Sequence, residues 1–385
     1  MIYFDNAATG GRKPDQVLTA VQSALRVCAN PGRSAHKLSL ACAKLVQDCR
    51  NALNDFFGGY GYDRVVFTKN ATEALNTALF GALNKGDHVV TTCMEHNSVL
   101  RPLQALQAAG IIEYDVCGLT GEGQQATVTA ESIRALLRPH TRAVVVTTAS
   151  NVNGACPNLA KIRTALPEDI LLICDGAQGC GHLPIDMQAL GIDALAVTGH
   201  KGMHGIQGSG ALLFSERFNP APLCYGGTGS ISNSLDMPDF YPDRLEAGTL
   251  SFPAIISLLE GSRYLTIHAK RTQNKITRLT ELLYSGLQKM PAYTVYSAPN
   301  PCGIISFTHE SYSPEYVAQR LSEDYGIAVR SGLLCAPLMH KALGTFDGGV
   351  IRVSLSHFNT EKEVEVCLDA LAAIAREKPK GAEFL

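Results

Sequence analysis

No run of apolar residues in this 385-residue chain approaches the roughly 18 uncharged positions that a membrane helix needs, so no membrane span is expected. An excess of one charge is also lacking. Lys and Arg number 33 against 35 Asp and Glu, and the formal net charge of -2 gives no electrostatic reason to expect a nucleic acid or an anionic membrane as partner. Neither a G-x-G-x-x-G nor a Walker A pattern occurs, which weakens any dinucleotide or nucleoside triphosphate reading. The opening MIYFDNAATGG has neither the basic nor the apolar region of a secretory signal, so none is read and a cytoplasmic location is expected by default. The 12 cysteines include no C-x-x-C pair and no Cys/His cluster with ligand spacing, which argues against both a disulfide framework and a metal site. Several sit in apolar runs, such as Cys174 in ILLICD and Cys93 in HVVTTCM, where a reduced thiol acts as a small hydrophobe.

What is present fits a globular protein: 46% apolar and 18% charged residues, in a chain long enough for two packed lobes. Short β-branched or apolar runs alternate with helical stretches. RVVFT (64–68), HVVTT (88–92), IIEYDV, RAVVVTTAS, ILLICD and ALAVTG read as strands, with helices from Ala71 to Leu83 and through SVLRPLQALQAAG. Continuous apolar strands between helices predict an α/β fold with a mostly parallel sheet covered on both faces. Ligands gather at the carboxyl ends of such strands. A Gly/Pro/Asn-rich stretch (219–242) interrupts the alternation. A long helix (about 254–290), strands YTVYS, GIISFT, GIAVRSG and VIRVSLS, and helices near 314–325 and at the end predict a smaller α+β domain. The division expected is 1–264 and 265–385, with the N-terminal segment packing against the small domain.

Chemistry-bearing residues follow the strands. Lys201, in Thr198-Gly199-His200-Lys201-Gly202, comes directly after ALAV. It reads either as an exposed loop lysine or as a Schiff-base lysine, with glycines that let a bulky cofactor approach the backbone. Asp175 ends ILLICD and would either cap a helix or hold a protonated pyridine nitrogen, and Gln178 is placed to reach a ring hydroxyl. The turn Thr68 to Ala74 offers the free N–H groups of a helix start at Ala71, with the Thr72 hydroxyl, to a phosphate, and also reads as an ordinary capping box, Lys69-Asn70 with Glu73 at the N3 position. His96, in Cys93-Met94-Glu95-His96-Asn97-Ser98, reads as a structural histidine or as one that stacks on a pyridine ring.

Taken in order, FDNAAT, NATEALN, MEHNSV, SNVNGA, DGAQ, TGHKG, RLEAGT, RSGLLCAP and IRVSLSHFNTEKEVE resemble the class V aminotransferase family of fold-type I enzymes. Within it the cysteine desulfurase and selenocysteine lyase branch is nearest, in its Suf-type form. The resemblance spans nearly the whole chain. It implies pyridoxal 5'-phosphate held by Lys201 as a Schiff base, Asp175 at the pyridine nitrogen and His96 stacked on the ring. Gln178 and Asn151 would lie near the ring oxygen and substrate, and Thr72, Thr198 and His200 at the phosphate. Thr249 would reach the phosphate of a neighbouring subunit, making a homodimer part of the site. Arg352 would clamp the substrate carboxylate, with Arg330 assisting and His36 lining the entrance. Cys335 would attack the sulfur of L-cysteine, release alanine and keep a persulfide, for a protein acceptor and iron–sulfur cluster assembly. Selenocysteine lyase action on L-selenocysteine, or a divergent aminotransferase or amino-acid lyase, are the alternatives. Three departures stand out: Leu333-Leu334 where histidine is usual, a loop after Lys201 one residue longer with His204 in place of glycine, and no leading helix.

Overall fold

The computed structural model describes residues 1–31, 34–121 and 123–377. Seven strands form the central sheet in the order Val65–Thr68, Gly210–Phe214, Ala194–Thr198, Leu171–Asp175, Thr141–Thr147, Asp87–Thr92, Ile112–Cys117. Gly210–Phe214 runs antiparallel to both neighbours; the other pairings are parallel. The continuous apolar runs have a direct cause. Val144, Val146, Leu172, Cys174, Leu195 and Val197 feed a core on one face, and the alternate residues Ala143, Val145, Leu171, Ile173, Ala194 and Ala196 feed a second core on the other. A sheet buried on both faces needs apolar side chains at every position.

Four antiparallel strands form the smaller sheet, ordered Arg330–Gly332, Val350–Ser354, Ile304–His309, Tyr293–Val295. The N-terminal strand Ile2–Tyr3 pairs in parallel with Ile327–Ala328, so the chain start lies against this half of the molecule. Helix Phe252–Leu287, 36 residues and about 54 Å long, joins the two halves. Its Phe252, Ile255, Leu258 and Leu259 pack in the large-sheet core, and Leu279, Leu283 and Leu287 in the small-sheet core. The boundary expected at 264/265 falls inside this helix. The Gly/Pro/Asn-rich stretch (219–242) carries no helix or strand, and the short 3-10 turn Asp243–Leu245 follows it.

The sequence places most elements within two or three residues, but GIAVRSG is not one strand. It splits into Ile327–Ala328 and Arg330–Gly332, which belong to different sheets.

Candidate active site

Strands Asp87–Thr92, Thr141–Thr147, Leu171–Asp175 and Ala194–Thr198 run in one direction, so the turns after them meet at one edge of the sheet. A cavity of about 300 Å³ opens there, lined from each of these turns and from the small sheet. That is at the lower end of the range for small-ligand pockets.

Lys201 reaches this cavity three residues after Thr198. Burial of its amine lowers the pKa to about 8; Asp175 opposes the shift and Arg352 adds to it. The neighbouring glycines serve packing rather than ligand approach. A Cβ on Gly199 would collide with the Ser209 hydroxyl and one on Gly202 with the Cys180 carbonyl, and neither residue lines the main cavity. His204 holds a left-handed backbone (φ 59°), a conformation that glycine adopts without strain, and is buried against His357 and Tyr264. Asp175, 3% exposed, ends its strand at the cavity. Its Oδ1 accepts the Ala177 N–H at 2.9 Å. Burial raises its pKa, against the pull of that N–H and of Lys201. No ion pair engages it among the described residues.

At one end of the cavity the helix Ala71–Ala82 begins. Asn70 Oδ1 accepts the Glu73 N–H at 2.9 Å, while Ala71 and Thr72 line the cavity as the first residues of the helix, whose N–H groups have no intrahelical partner. The Thr72 and Ser98 hydroxyls lie 2.8 Å apart. Thr198 Oγ1 is buried with no hydrogen-bond partner. His200 completes this end; its Nδ1 lies 3.1 Å from Thr9 Oγ1, and burial followed by Lys201 and Lys13 brings its pKa to about 4.

His96 caps the helix Asn97–Ala108. Its Nδ1 accepts the Ser98 N–H at 3.0 Å, so the neutral ring carries its proton on Nε2. Burial, then Lys201, Arg101 and Arg352, lower its pKa to about 4. Beneath it Glu95 is fully buried. Its Oε1 accepts from Thr92 Oγ1 (2.6 Å) and Thr147 N (2.9 Å), Oε2 has no partner, and burial raises its pKa to about 8. Gln178 lines the cavity and anchors through Nε2 to the Ala7 carbonyl at 3.0 Å.

The far wall comes from the small sheet. Arg352, 3% exposed, donates from Nη1 to the Asn151 carbonyl and from Nη2 to Asp5 Oδ1, both at 2.9 Å, and its Nε is buried with no partner. Arg330 sits opposite it in strand register and also lines the cavity. Asn151 Nδ2 donates to the Leu334 carbonyl at 2.7 Å, and Asn97 N to the Cys335 carbonyl at 2.8 Å. Leu334 and Cys335 are both left-handed (φ 49° and 57°), and Leu334 is buried while Cys335 is exposed at the cavity. The loop thus places a buried apolar side chain directly before the exposed thiol.

Twelve of the fourteen residues expected from sequence line this one cavity: Ala71, Thr72, His96, Asn151, Asp175, Gln178, Thr198, His200, Lys201, Arg330, Cys335 and Arg352. Two do not. His36 is exposed and caps the helix Lys37–Phe56 through Nδ1. Thr249 is exposed in a neighbouring depression with Lys69 and Cys224. Sequence reading assigned no role to Asp5, Ser98 or Glu95. The motifs FDNAAT and MEHNSV contained them, but which atoms they meet depends on tertiary packing.

A family model described as aminotransferase class V matches residues 2–367. A probable cysteine desulfurase of Methanothermobacter thermautotrophicus is 32% identical over 388 residues, covering 97% of this chain and 94% of the relative. The apo structure of a cysteine desulfurase from Thermococcus onnurineus NA1 superimposes with a TM-score of 0.87 at 29% identity, covering 97% of this chain and 94% of the other. The S-sulfonic acid form of the cysteine desulfurase CsdA from Escherichia coli gives 0.85 at 26% identity, with 96% and 94% coverage.

Proposed function

The chain belongs to the class V aminotransferase family, and we propose that it is a pyridoxal-phosphate-dependent cysteine desulfurase, converting L-cysteine to L-alanine and retaining the sulfur as a persulfide on Cys335. One observation carries this reading: an exposed thiol, turned outward by two consecutive left-handed residues, faces the same cavity as a depressed-pKa lysine and a buried arginine. The names of the relatives agree with it.

The residues present fit the cofactor. Thr198 carries a buried hydroxyl without a partner, and Asp175 a buried carboxylate that accepts the Ala177 N–H and feels the Lys201 charge. Such groups are costly in a dry site unless a ligand meets them. Asp175 would hold the pyridine nitrogen, Lys201 the aldehyde end, and Gln178 the ring hydroxyl. Thr72, Thr198, His200 and the helix start at Ala71 would take the phosphate, and His96 would lie on the ring face. When bound, pyridoxal phosphate supplies an aldehyde that captures the substrate amine and an electron-withdrawing ring that acidifies the substrate Cα–H bond.

The remaining work falls to side chains. The unpartnered Nε of Arg352 is a donor waiting for an anion, and the substrate carboxylate suits it. Burial lowers the Lys201 amine pKa to about 8, so its unprotonated fraction grows as pH rises toward 8, and in this role Nζ takes the Cα proton. Cys335 Sγ, as thiolate, attacks the substrate sulfur, and the carbon–sulfur bond breaks as the sulfur–sulfur bond forms. Lys201 then returns a proton to carbon and alanine leaves. His96, neutral with Nε2 protonated, adds no competing charge.

Thr249 and the exposed Leu223, Tyr225, Ile231 and Leu235 of the interrupting stretch support a second copy of this chain as the partner that covers this surface. The exposure of Cys335 suits a protein acceptor that collects the sulfur.

Kinetics of Cys335→Ala test the reading. The variant should lose at least about 100-fold in sulfide and alanine release from L-cysteine, an effect of the size that follows removal of a nucleophile, while retaining the yellow cofactor colour that Lys201→Ala loses. Full activity with L-cysteine would sink the persulfide step. Retained turnover of L-selenocysteine alone would mark a selenocysteine lyase.

A further inference from the structure

Most of the twelve thiols behave as the inert hydrophobes their sequence context suggests. Burial pushes Cys93 up to about 11 and Cys367 up to about 12. Cys156 departs from this. Among the described residues it is the one thiol whose pKa is lowered, chiefly through a side-chain interaction with Cys302. It is only half-buried, whereas Cys302 is 3% exposed.

The backbone brings the two together. Cys156 follows the Asn151–Gly154 turn of the large sheet, and Cys302 lies in the turn that opens strand Ile304–His309 of the small sheet. These turns are in close contact. Gly154 is left-handed (φ 75°), and any Cβ there would strike the Asn300 side chain. Asn300 in turn shapes the Cys302 turn, donating to the Ile304 carbonyl at 2.6 Å and accepting the Cys302 N–H at 3.2 Å. Ser306 Oγ donates to the Val152 carbonyl across the same seam. Cys156 packs against the small cluster of Ala7, Ala149, Cys302 and Ile304. The proposed mechanism uses neither thiol.

We propose that Cys156 and Cys302 form a modification site, a dithiol that exchanges with small diffusible disulfides and closes to a disulfide bond between the Asn151 turn and the small sheet. The Cys156 thiolate, the one small molecules reach, attacks a low-molecular-weight disulfide. A mixed disulfide forms and one small thiolate leaves. Cys302 then attacks Cys156 Sγ, its proton passing to the second departing thiolate. Two protein thiols are oxidised and one small disulfide is reduced to two thiols. Asn151 holds both the Leu334 carbonyl and Arg352, so the bond braces the frame of the active site without consuming a reacting group.

Peptide mapping decides the matter independently of desulfurase chemistry. Holoenzyme carrying Cys335→Ala is incubated with oxidised glutathione, its free thiols are blocked in denaturant, and it is digested without reductant. The expected product is a peptide pair joining Cys156 to Cys302, abolished by dithiothreitol and absent in Cys156→Ser, where Cys302 is recovered as a blocked free thiol. In Cys302→Ser, Cys156 should stop at the mixed disulfide. Should that buried variant not fold, the Cys156→Ser comparison stands by itself. Recovery of both residues as free thiols, or a stable glutathione adduct on Cys156 with Cys302 unreacted, would overturn the proposal.

Discussion

At the scale of single residues, the site is organised by charges that lack or share partners. Arg352 is buried, yet only one carboxylate among the described residues reaches it, Asp5 at 2.9 Å. A guanidinium in a low-dielectric wall needs such a partner to remain charged and aimed, and removing one member of a buried pair leaves the other uncompensated. Asp5→Asn should therefore raise KM for the amino acid about tenfold while kcat changes less than about threefold, because Asp5 orients the clamp and touches no reacting atom. Asp5→Glu should recover part of the loss. Steady-state kinetics of the two variants make the check, and an unchanged KM in Asp5→Asn would remove Asp5 from any positioning role. The role of Arg352 was expected from sequence, but its pairing with Asp5 was not. Asp5 and Arg352 lie at opposite ends of the chain, and no local pattern announces a pair that forms only when the N-terminal segment crosses the small sheet. Lys201 and Asp175 were legible, because each follows an apolar run at a strand end, where a charged residue requires an explanation.

At the scale of elements, strand ends and helix starts do the placing. Four parallel strands deliver their turns to one edge, and the helix beginning at Ala71 aims its free N–H groups into the same cavity. Asn70 fixes that helix start through the Glu73 N–H. Asn70→Ala should cost about 1 kcal/mol of stability, the usual effect of losing an N-cap. It should also weaken pyridoxal phosphate binding several-fold, by loosening the phosphate end. Thermal denaturation and cofactor titration of the stripped protein would measure the two effects. A stability loss with unaltered cofactor affinity would show the cap to be structural alone. The strands and helices were readable because their periodicities are local. His36 and Thr249 were expected from motif position, and within one subunit both lie outside the cavity; motif position alone does not say which side chains they meet. The glycines around Lys201 were read as making room for a ligand, whereas the contacts that forbid a Cβ come from Ser209 and Cys180 on neighbouring segments.

At the scale of the whole molecule, the cavity is a joint product of two sheets. The large sheet supplies Lys201, Asp175 and the helix start, and the small sheet brings Arg352, Arg330 and the Cys335 loop against them. The N-terminal segment threads between, giving Asp5 to Arg352 and the Ala7 carbonyl to Gln178, and the helix Phe252–Leu287 ties the two cores together. In the mechanism proposed above, the large-sheet half would hold the cofactor and the small-sheet half would offer the Cys335 thiol to the substrate sulfur. That claim has a direct test. The holoenzyme is mixed with one equivalent of L-cysteine, without reductant, and the peptide containing Cys335 is weighed by mass spectrometry after blocking. The account predicts one additional sulfur atom on Cys335, matched by one equivalent of alanine and removed by dithiothreitol as sulfide. Alanine formed with no sulfur retained on Cys335, or sulfur found on another cysteine, would contradict it.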